Sequence, residues 1–369
     1  MNNLMGVNRL KAFLILENGY VFEGQSFGST REAVCEIVFN TSMVGYLEML
    51  SDPSYAGEGL VLTYPLIGNC GVNQEDWESD RLWPEALIIK ELSRNPSNFR
   101  SQGDLETLLK EHDIPGIEGI DTRMLTRMIR EHGVMNGVLT CDEEFDLEEC
   151  IQKARAYRVG RVVQKASCQT VWHIPGNGPR VAVLDLGLKK NMLRCLQKRD
   201  CDLTIYPCDT PASTILDSHP QGIFLSNGPG DPKECGSIID TVAELAQSGI
   251  PVFAICLGHQ LLALAHGGDT RKMKYGHHGS NHPVKDLIQD RVYISSQNHG
   301  YEVIGDSFSK DTARITYSNV NDDSCEGIQY PGKPVFSVQF HPEASGGPMD
   351  TGFIFDSFLT MIKEGMQNA

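Results

Sequence analysis

The sequence contains no apolar run close to the roughly 20 residues that a membrane span requires. Near its start, a short apolar segment at 12–16 is closed by Glu17, and the basic region and long apolar core of an export signal are missing. We therefore expect a protein of the cytoplasm that neither crosses a membrane nor leaves the cell.

Paired cysteine motifs are also absent. The 11 cysteines are spread along the chain without any CxxC pair, which favours reduced thiols over a disulfide framework or a zinc site. The chain also has no GxxxxGK[ST] phosphate loop, so we expect no ATP chemistry on this chain. Its formal net charge of -16 disfavours binding to nucleic acids and to anionic membranes, which attract Lys and Arg.

What the chain does contain is typical of a globular protein. Its 369 residues are 40% hydrophobic and 22% charged, and this length exceeds what one core usually serves. We therefore predict two domains, at 1–150 and 180–369, joined by a linker at 151–179 that ends in a Pro-Gly-Asn-Gly-Pro stretch.

The first half is rich in strand signals. KAFLILENGYVFEG predicts a hairpin that turns at Asn18-Gly19, and VCEIVFN and GLVLTYPL predict further strands. Asp121 and Gly133 are suitable residues for the two ends of a helix at about 122–132. This half is therefore predicted to be a strand-rich α/β domain.

In the second half, apolar strand segments alternate with amphipathic helices from Arg180 onward. This pattern predicts a doubly wound α/β domain with a mostly parallel sheet. Ligand sites in such sheets lie at the carboxyl ends of the strands, where both Gly228 and Cys256 are expected.

Cys256 stands where a predicted strand meets a predicted helix, in AICLGHQ. The small residues Ala254 and Gly258 allow the sharp turn of a nucleophile elbow, and the helix N-terminus favours a thiolate. Taken alone, the same pattern also fits a buried structural cysteine.

Two further segments supply partners for a nucleophile. His341 and Glu343 are one residue apart, so an extended segment would place both side chains on one face, where the carboxylate orients the imidazole. Taken alone, H-P-E also fits a surface turn. SNGPGDP at 226–232 offers backbone N–H groups for an oxyanion, or it is simply a loop after a strand.

Together these segments resemble the class I glutamine amidotransferases. The segments FNTSMVGYLEMLSDPSYAGEGLVLTYPLIGNCGVN, GIEGIDTRMLTRMIREHGVMNGVL, HHGSNHPVKD and SSQNHGYEV are similar to the small, glutamine-hydrolysing subunits of carbamoyl-phosphate synthase. This resemblance covers essentially the whole chain. It implies that Cys256 is the nucleophile, His341 the general base and then acid, and Glu343 the residue that orients His341.

The resemblance also implies a set of glutamine contacts. They are Ser42, Gly228, Gly230, Leu257, Gln260, Asn298, Gly300 and Tyr301. It further implies a large synthetase subunit as partner, which receives ammonia through a tunnel and uses ATP, Mg²⁺ and bicarbonate. Whether the two chains form a higher oligomer of heterodimers stays open. No cofactor is implied for this chain.

Two residues depart from the family pattern. Many members have Gly at the position of Ala254 and Phe at the position of Tyr301, and we expect both changes to be tolerated. His277, His278 and His282 suggest a metal cluster, but their loop GHHGSNH contains no acidic or Cys co-ligand, so we predict no metal.

Two alternative functions remain open at this point. One is a glutaminase subunit of a different ammonia-using synthase, and the other is a non-catalytic assembly subunit. The sequence also leaves open whether the product serves arginine or pyrimidine synthesis.

Overall fold

The computed structural model describes residues 9–309 and 311–367, which form two compact units. The chain passes from the first unit to the second between Val159 and Gly160, within the predicted linker. Two short segments of the N-terminal half, Ser51–Ala56 and Trp77–Asp80, also belong to the second unit. The sequence analysis did not anticipate these two insertions. The first eight residues, which begin the segment considered for an export signal, lie outside the described part of the chain.

The first unit is built mainly from strands. Its strands are β1 (Lys11–Leu16), β2 (Val21–Gly28), β3 (Ala33–Asn40), β4 (Glu58–Leu62), β5 (Leu66–Ile67), β6 (Ala86–Ile88), β7 (Glu91–Leu92), β8 (Pro115–Glu118) and β9 (Met135–Thr140). Its helices are α1 (Tyr46–Leu50), α2 (Leu105–Glu111), α3 (Thr122–His132) and α4 (Leu147–Ala156).

The main sheet of this unit closes on itself in the order β1-β2-β8-β6-β4-β3-β9, because β9 pairs back to β1. The predicted hairpin is confirmed: β1 and β2 are antiparallel, and Gly19 takes a φ of 86° in the turn. The predicted helix is also confirmed as α3, where the Asp121 side chain accepts from the N–H of Met124 and Gly133 ends the helix.

The second unit contains the remaining elements. Its strands are β10 (Trp172–Ile174), β11 (Arg180–Asp185), β12 (Asp202–Pro207), β13 (Gly222–Leu225), β14 (Val252–Ile255), β15 (Thr270–Asp286), β16 (Arg291–Val303), β17 (Arg314–Asn319), β18 (Cys325–Gln329) and β19 (Val335–Val338). Its helices are α5 (Val163–Ala166), α6 (Lys190–Gln197), α7 (Ala212–Leu216), α8 (Gly236–Gln247), α9 (Leu257–Ala265) and α10 (Ile354–Gln367).

These strands form one sheet in the order β10-β12-β11-β13-β14-β19-β18-β16-β15-β17. The central strands β12, β11, β13, β14 and β19 are parallel, and antiparallel strands extend the sheet on both sides. Consecutive strand residues face opposite layers: Leu184 packs toward α8 and α9, whereas Val183 packs toward α6 and α10. Helices therefore cover both faces, and the predicted doubly wound fold is confirmed.

None of the helices in the described part of the chain combines the length and the hydropathy that a membrane span requires.

Candidate active site

Cys256 occupies the sharp turn between β14 and α9. Its φ of 52° and ψ of -106° lie in a region that non-glycine residues rarely adopt, as expected for a strained nucleophile elbow. A Cβ at Gly258 would come within 2.7 Å of the Leu225 carbonyl oxygen, so the glycine is needed where the helix meets β13. Ala254 is fully buried and pairs with Leu225 and Ser337 in the sheet. The predicted elbow is therefore confirmed.

The Cys256 thiol is buried and faces β16. Its Sγ lies 3.7 Å from the backbone oxygen of Asn298, within the range of a hydrogen bond from sulfur. The structure thus brings the predicted nucleophile against the QNHGY segment, 42 residues away in the chain.

His341 and Glu343 form a buried pair. The Nδ1 of His341 donates to the Oε1 of Glu343 at 2.6 Å, and both side chains are almost completely buried. The sequence analysis placed the two residues on one face of an extended segment, but this is wrong. The chain turns after His341, with a hydrogen bond of 3.2 Å from the N–H of Ala344 to the His341 oxygen, and this turn brings the carboxylate to the ring.

Charge reinforces this pair. Burial would lower the pKa of His341, but the charge and the hydrogen bond of Glu343, together with the contact with the Cys256 thiol, raise this pKa to about 10. The contact with the Cys256 thiol is thus part of the rise in the pKa of His341. The Nε2 of His341 nevertheless forms no hydrogen bond of ordinary geometry to any described residue. The protonated imidazole is therefore favoured, so the ring can hold a proton that a neighbouring nucleophile gives up.

Lys189, which the sequence did not reveal, is a third charged residue beside the His341–Glu343 pair. Burial would raise the pKa of Glu343, but the positive charges of Lys189 and His341 lower it. The Nζ of Lys189 lies 2.6 Å from the Oε1 of Glu343 inside the protein. Lys189 follows β11, so its place at the carboxyl end of a parallel strand was the signal that pointed to it.

The SNGPGDP segment lies against the elbow. A Cβ at Gly228 would come within 2.1 Å of the Leu186 oxygen and 2.7 Å of the Leu257 side chain. Gly228, in the predicted oxyanion segment, and Leu257, a predicted glutamine contact, are therefore close neighbours. Gly230 adopts a φ of 87°, a conformation that favours glycine.

Among the predicted glutamine contacts, two side chains are held by protein groups. The amide nitrogen of Gln260 donates to the backbone oxygen of Tyr301 at 2.9 Å and to the Oε1 of Gln339 at 3.0 Å. Asn298 accepts from the Nδ1 of His278 at 2.9 Å.

Gly300 and Ser42 are two further predicted contacts. A Cβ at Gly300 would meet no atom within 4 Å. Ser42 belongs to the first unit, where its N–H donates to the Oδ1 of Asn40 at 2.8 Å. The role of each in glutamine binding stays a prediction.

The histidine loop has acidic neighbours that the sequence analysis overlooked. The Nε2 of His277 donates to the Oδ2 of Asp322 at 2.8 Å, and its Nδ1 lies 3.5 Å from the Oε1 of Glu326. The prediction that this loop lacks acidic co-ligands is therefore wrong, because Asp322, which follows β17, and Glu326 in β18 lie beside it in the fold.

Among the residues that the structure describes, His277, His299 and Glu326 are the group that could hold a metal, because their ligand atoms lie within 4.8 Å of one another. However, the two carboxylate oxygens of Glu326 already accept from Asn319 at 3.0 Å and from Gln297 at 2.9 Å. Both oxygens are therefore engaged in hydrogen bonds, and His277 is paired with Asp322, so we still predict no metal here.

Comparisons with known proteins agree with this geometry. Residues 182–361 match the family described as glutamine amidotransferase class-I, and residues 14–139 match the carbamoyl-phosphate synthase small chain, CPSase domain. The second unit thus contains a class-I glutamine amidotransferase domain.

Similarity to individual proteins extends over nearly the whole chain. The carbamoyl phosphate synthase small chain of Oceanobacillus iheyensis is 49% identical over 354 residues, 96% of both chains. The pyrimidine-specific small chain of Bacillus subtilis is 48% identical over 355 residues, also 96% of both. The small chain of Clostridium perfringens is 46% identical over 350 residues, 95% of this chain and 99% of that one. The protein belongs to the carbamoyl phosphate synthase small chain family. It is a glutamine amidotransferase subunit.

Proposed function

We propose that this chain hydrolyses L-glutamine to glutamate and ammonia at Cys256 and delivers the ammonia to a large synthetase subunit. The observation that best supports this proposal is the strained elbow, which holds a thiol beside the His341–Glu343 pair. A cysteine in a mere packing role has no need for either the strain or the charged pair.

In the first step, the Cys256 sulfur attacks the side-chain amide carbon of glutamine, and His341 accepts the thiol proton. The N–H groups of Gly228 and Leu257 stabilise the oxyanion that forms. The carbon–nitrogen bond then breaks as His341 returns the proton to the nitrogen, which leaves as ammonia. The product on the enzyme is a γ-glutamyl thioester.

In the second step, a water molecule gives a proton to His341 and attacks the thioester carbon. The carbon–sulfur bond breaks, glutamate leaves, and the proton on His341 returns to the thiolate. Glu343 keeps the imidazole oriented with Nδ1 protonated, so that Nε2 exchanges the proton in both steps.

The substrate is proposed to lie between the elbow and the 298–301 segment. Gly228, Gly230, Leu257 and Gln260 would contact it from one side, and Asn298, Gly300 and Tyr301 from the other. Backbone carbonyl groups are suitable acceptors for the α-ammonium group, and backbone N–H groups are suitable donors for the carboxylate. Ser42 stays a glutamine contact that the resemblance implies.

The large subunit is proposed to combine the ammonia with bicarbonate and ATP, with Mg²⁺ bound on that subunit. Relatives named small chain support such a partner. The sequence lacks the GxxxxGK[ST] phosphate loop, in agreement with nucleotide chemistry on the partner. A closed tunnel would keep the ammonia from being protonated or lost in bulk water.

Cys256→Ser in the complex with the large chain tests this function. We expect carbamoyl phosphate synthesis to stop with glutamine and to continue with free ammonia. Cys325→Ser is the matched control, because Cys325 is also buried but belongs to β18. Unchanged use of glutamine by Cys256→Ser would refute the proposal, and failure of the two chains to co-elute would refute the partner.

A further inference from the structure

The segment Ser51–Ala56 comes from the N-terminal half of the sequence but belongs to the second unit. It contains a short 3-10 turn at Pro53–Tyr55, which the Asp52 side chain caps by accepting from the N–H of Ser54 at 2.9 Å. Asp52 is only 5% exposed. A buried carboxylate of this kind is costly unless it has several partners, so its contacts indicate what it does.

Two asparagines of the candidate active site donate to Asp52. The Nδ2 of Asn298 lies 2.9 Å from its Oδ2, and the Nδ2 of Asn227 lies 3.4 Å from its Oδ1. Asp52 therefore links two segments that are 71 positions apart in the chain. One segment faces the Cys256 thiol, and the other contains the proposed oxyanion donor Gly228.

Asn298 is the first of these links. Its backbone oxygen is the group that the Cys256 thiol faces at 3.7 Å. Its side chain is held at both ends, because the Nδ1 of His278 donates to its Oδ1 and Asp52 accepts from its Nδ2. Burial lowers the pKa of His278 to about 4, so this ring is neutral and keeps a single proton for the bond. Asp52 thus fixes the orientation of the residue against the nucleophile.

Asn227 is the second link. It directly precedes Gly228, the proposed oxyanion donor, and its Oδ1 accepts from the backbone N–H of Lys189 at 3.2 Å. The negative charge of Asp52 also raises the pKa of Lys189, together with that of Glu343 and against the effect of burial. The Asp52 carboxylate therefore accepts hydrogen bonds from Asn298 and Asn227. Its negative charge also stabilises the charged form of Lys189, the partner of Glu343.

We propose that Asp52 is a positioning residue for glutamine hydrolysis, which it supports by holding Asn298 and Asn227 in place around Cys256. This inference rests on the proposed function of Cys256. Asp52 itself does not touch the reacting atoms, so its removal is expected to affect the alignment of the site. A displacement of about 1 Å in such a site typically costs on the order of 100-fold in rate.

Asp52→Asn separates this role from a role in folding. The new amide oxygen still caps the 3-10 turn, but the new amide nitrogen faces the Nδ2 of Asn298, so that two donors oppose each other. We expect kcat for glutamine hydrolysis to fall about 10- to 100-fold, with a smaller change in KM. Ammonia-dependent synthesis by the complex is expected to stay near that of the wild type, and the variant to stay folded at the assay temperature with a melting temperature a few degrees lower, because two buried donors now oppose each other.

A reciprocal exchange provides the sharper test. Asn298→Asp alone places two carboxylates face to face, and we expect it to lose activity as well. In the double variant Asp52→Asn/Asn298→Asp, an amide again donates to a carboxylate, and the Nδ1 of His278 still has an acceptor. We expect most of the lost kcat to return at saturating glutamine, whereas the change at Asn298, a proposed glutamine contact, raises KM. Asp104→Asn is the control, because Asp104 caps α2 in the first unit by accepting from the N–H of Thr107.

Several outcomes would overturn the inference. They are a kcat within twofold of the wild type for Asp52→Asn, a loss of kcat explained by unfolded protein, or no recovery in the double variant. Wild type and Cys256→Ser are measured in parallel. If wild type does not hydrolyse glutamine, the proposed function fails; if it does and Asp52→Asn matches it, only the role of Asp52 fails.

Discussion

One oxygen of Glu343 serves two partners. Its Oε1 lies 2.6 Å from the Nδ1 of His341 and 2.6 Å from the Nζ of Lys189, and all three side chains are buried. Its Oε2 accepts no hydrogen bond from any described residue. The carboxylate therefore orients the imidazole and depends on the lysine for much of its own stabilisation in the interior.

Lys189→Met should destabilise the protein. The change leaves the buried Glu343 with only the imidazole as partner, and breaking a buried ion pair costs about 3–5 kcal/mol. Urea unfolding measures this loss. Lys190→Met is the matched control, since the neighbouring lysine pairs at 2.6 Å with Asp80 at the surface, where its removal should change little. Equal effects of the two substitutions would contradict our account of the buried pair.

The stability of the protein should depend on pH through His277. Burial would lower the pKa of this ring, but hydrogen bonds and charge from Asp322 and Glu326 raise it to about 9. Since the folded pKa is above the unfolded value, this stabilisation is complete below about pH 6.5 and is lost as the pH rises toward 9. The slope for one such group is at most about 1.4 kcal/mol per pH unit.

His277→Gln isolates this contribution. We expect the difference in unfolding free energy between wild type and variant to be largest at pH 6.5 and to shrink steadily toward pH 9. Urea titrations at several pH values between these limits measure it. A difference that stays constant across the range would show that the proton on His277 contributes nothing.

Gly228→Ala should disturb the loop beside the nucleophile. The added Cβ would lie 2.1 Å from the Leu186 oxygen, which is backbone and cannot turn away, so we expect a loss of about 1–3 kcal/mol in stability and a lower kcat. Gly236→Ala at the start of α8 is the control, because a Cβ there meets no atom within 4 Å. Full activity and stability of Gly228→Ala would refute the close approach on which the oxyanion proposal depends.

Local chemistry in the sequence predicted much of the fold and part of the site. The elbow at Cys256 depends on a strand, a turn and a helix that are adjacent in the chain. The hairpin at Asn18-Gly19 and the helix capped by Asp121 depend likewise on neighbouring residues. In each case the interactions that decide the structure span only a few positions.

The remaining features depend on distant parts of the chain. Asp52 meets Asn298 across 246 positions, and Lys189 meets Glu343 from the end of a different strand. Periodicity and capping rules contain no information on such pairs. The contact of His341 with Glu343 was expected, but its geometry was not, because His341 is bridged to the distant Ser296 in β16 and the chain turns directly after it.

The most direct test of the central claim is to trap the γ-glutamyl thioester. Acid quenching during glutamine turnover, followed by intact-mass measurement and peptide mapping, should find one glutamyl group on Cys256 and none in Cys256→Ser. Glutamine hydrolysis that proceeds without this adduct, or equally well in Cys256→Ser, would contradict the account.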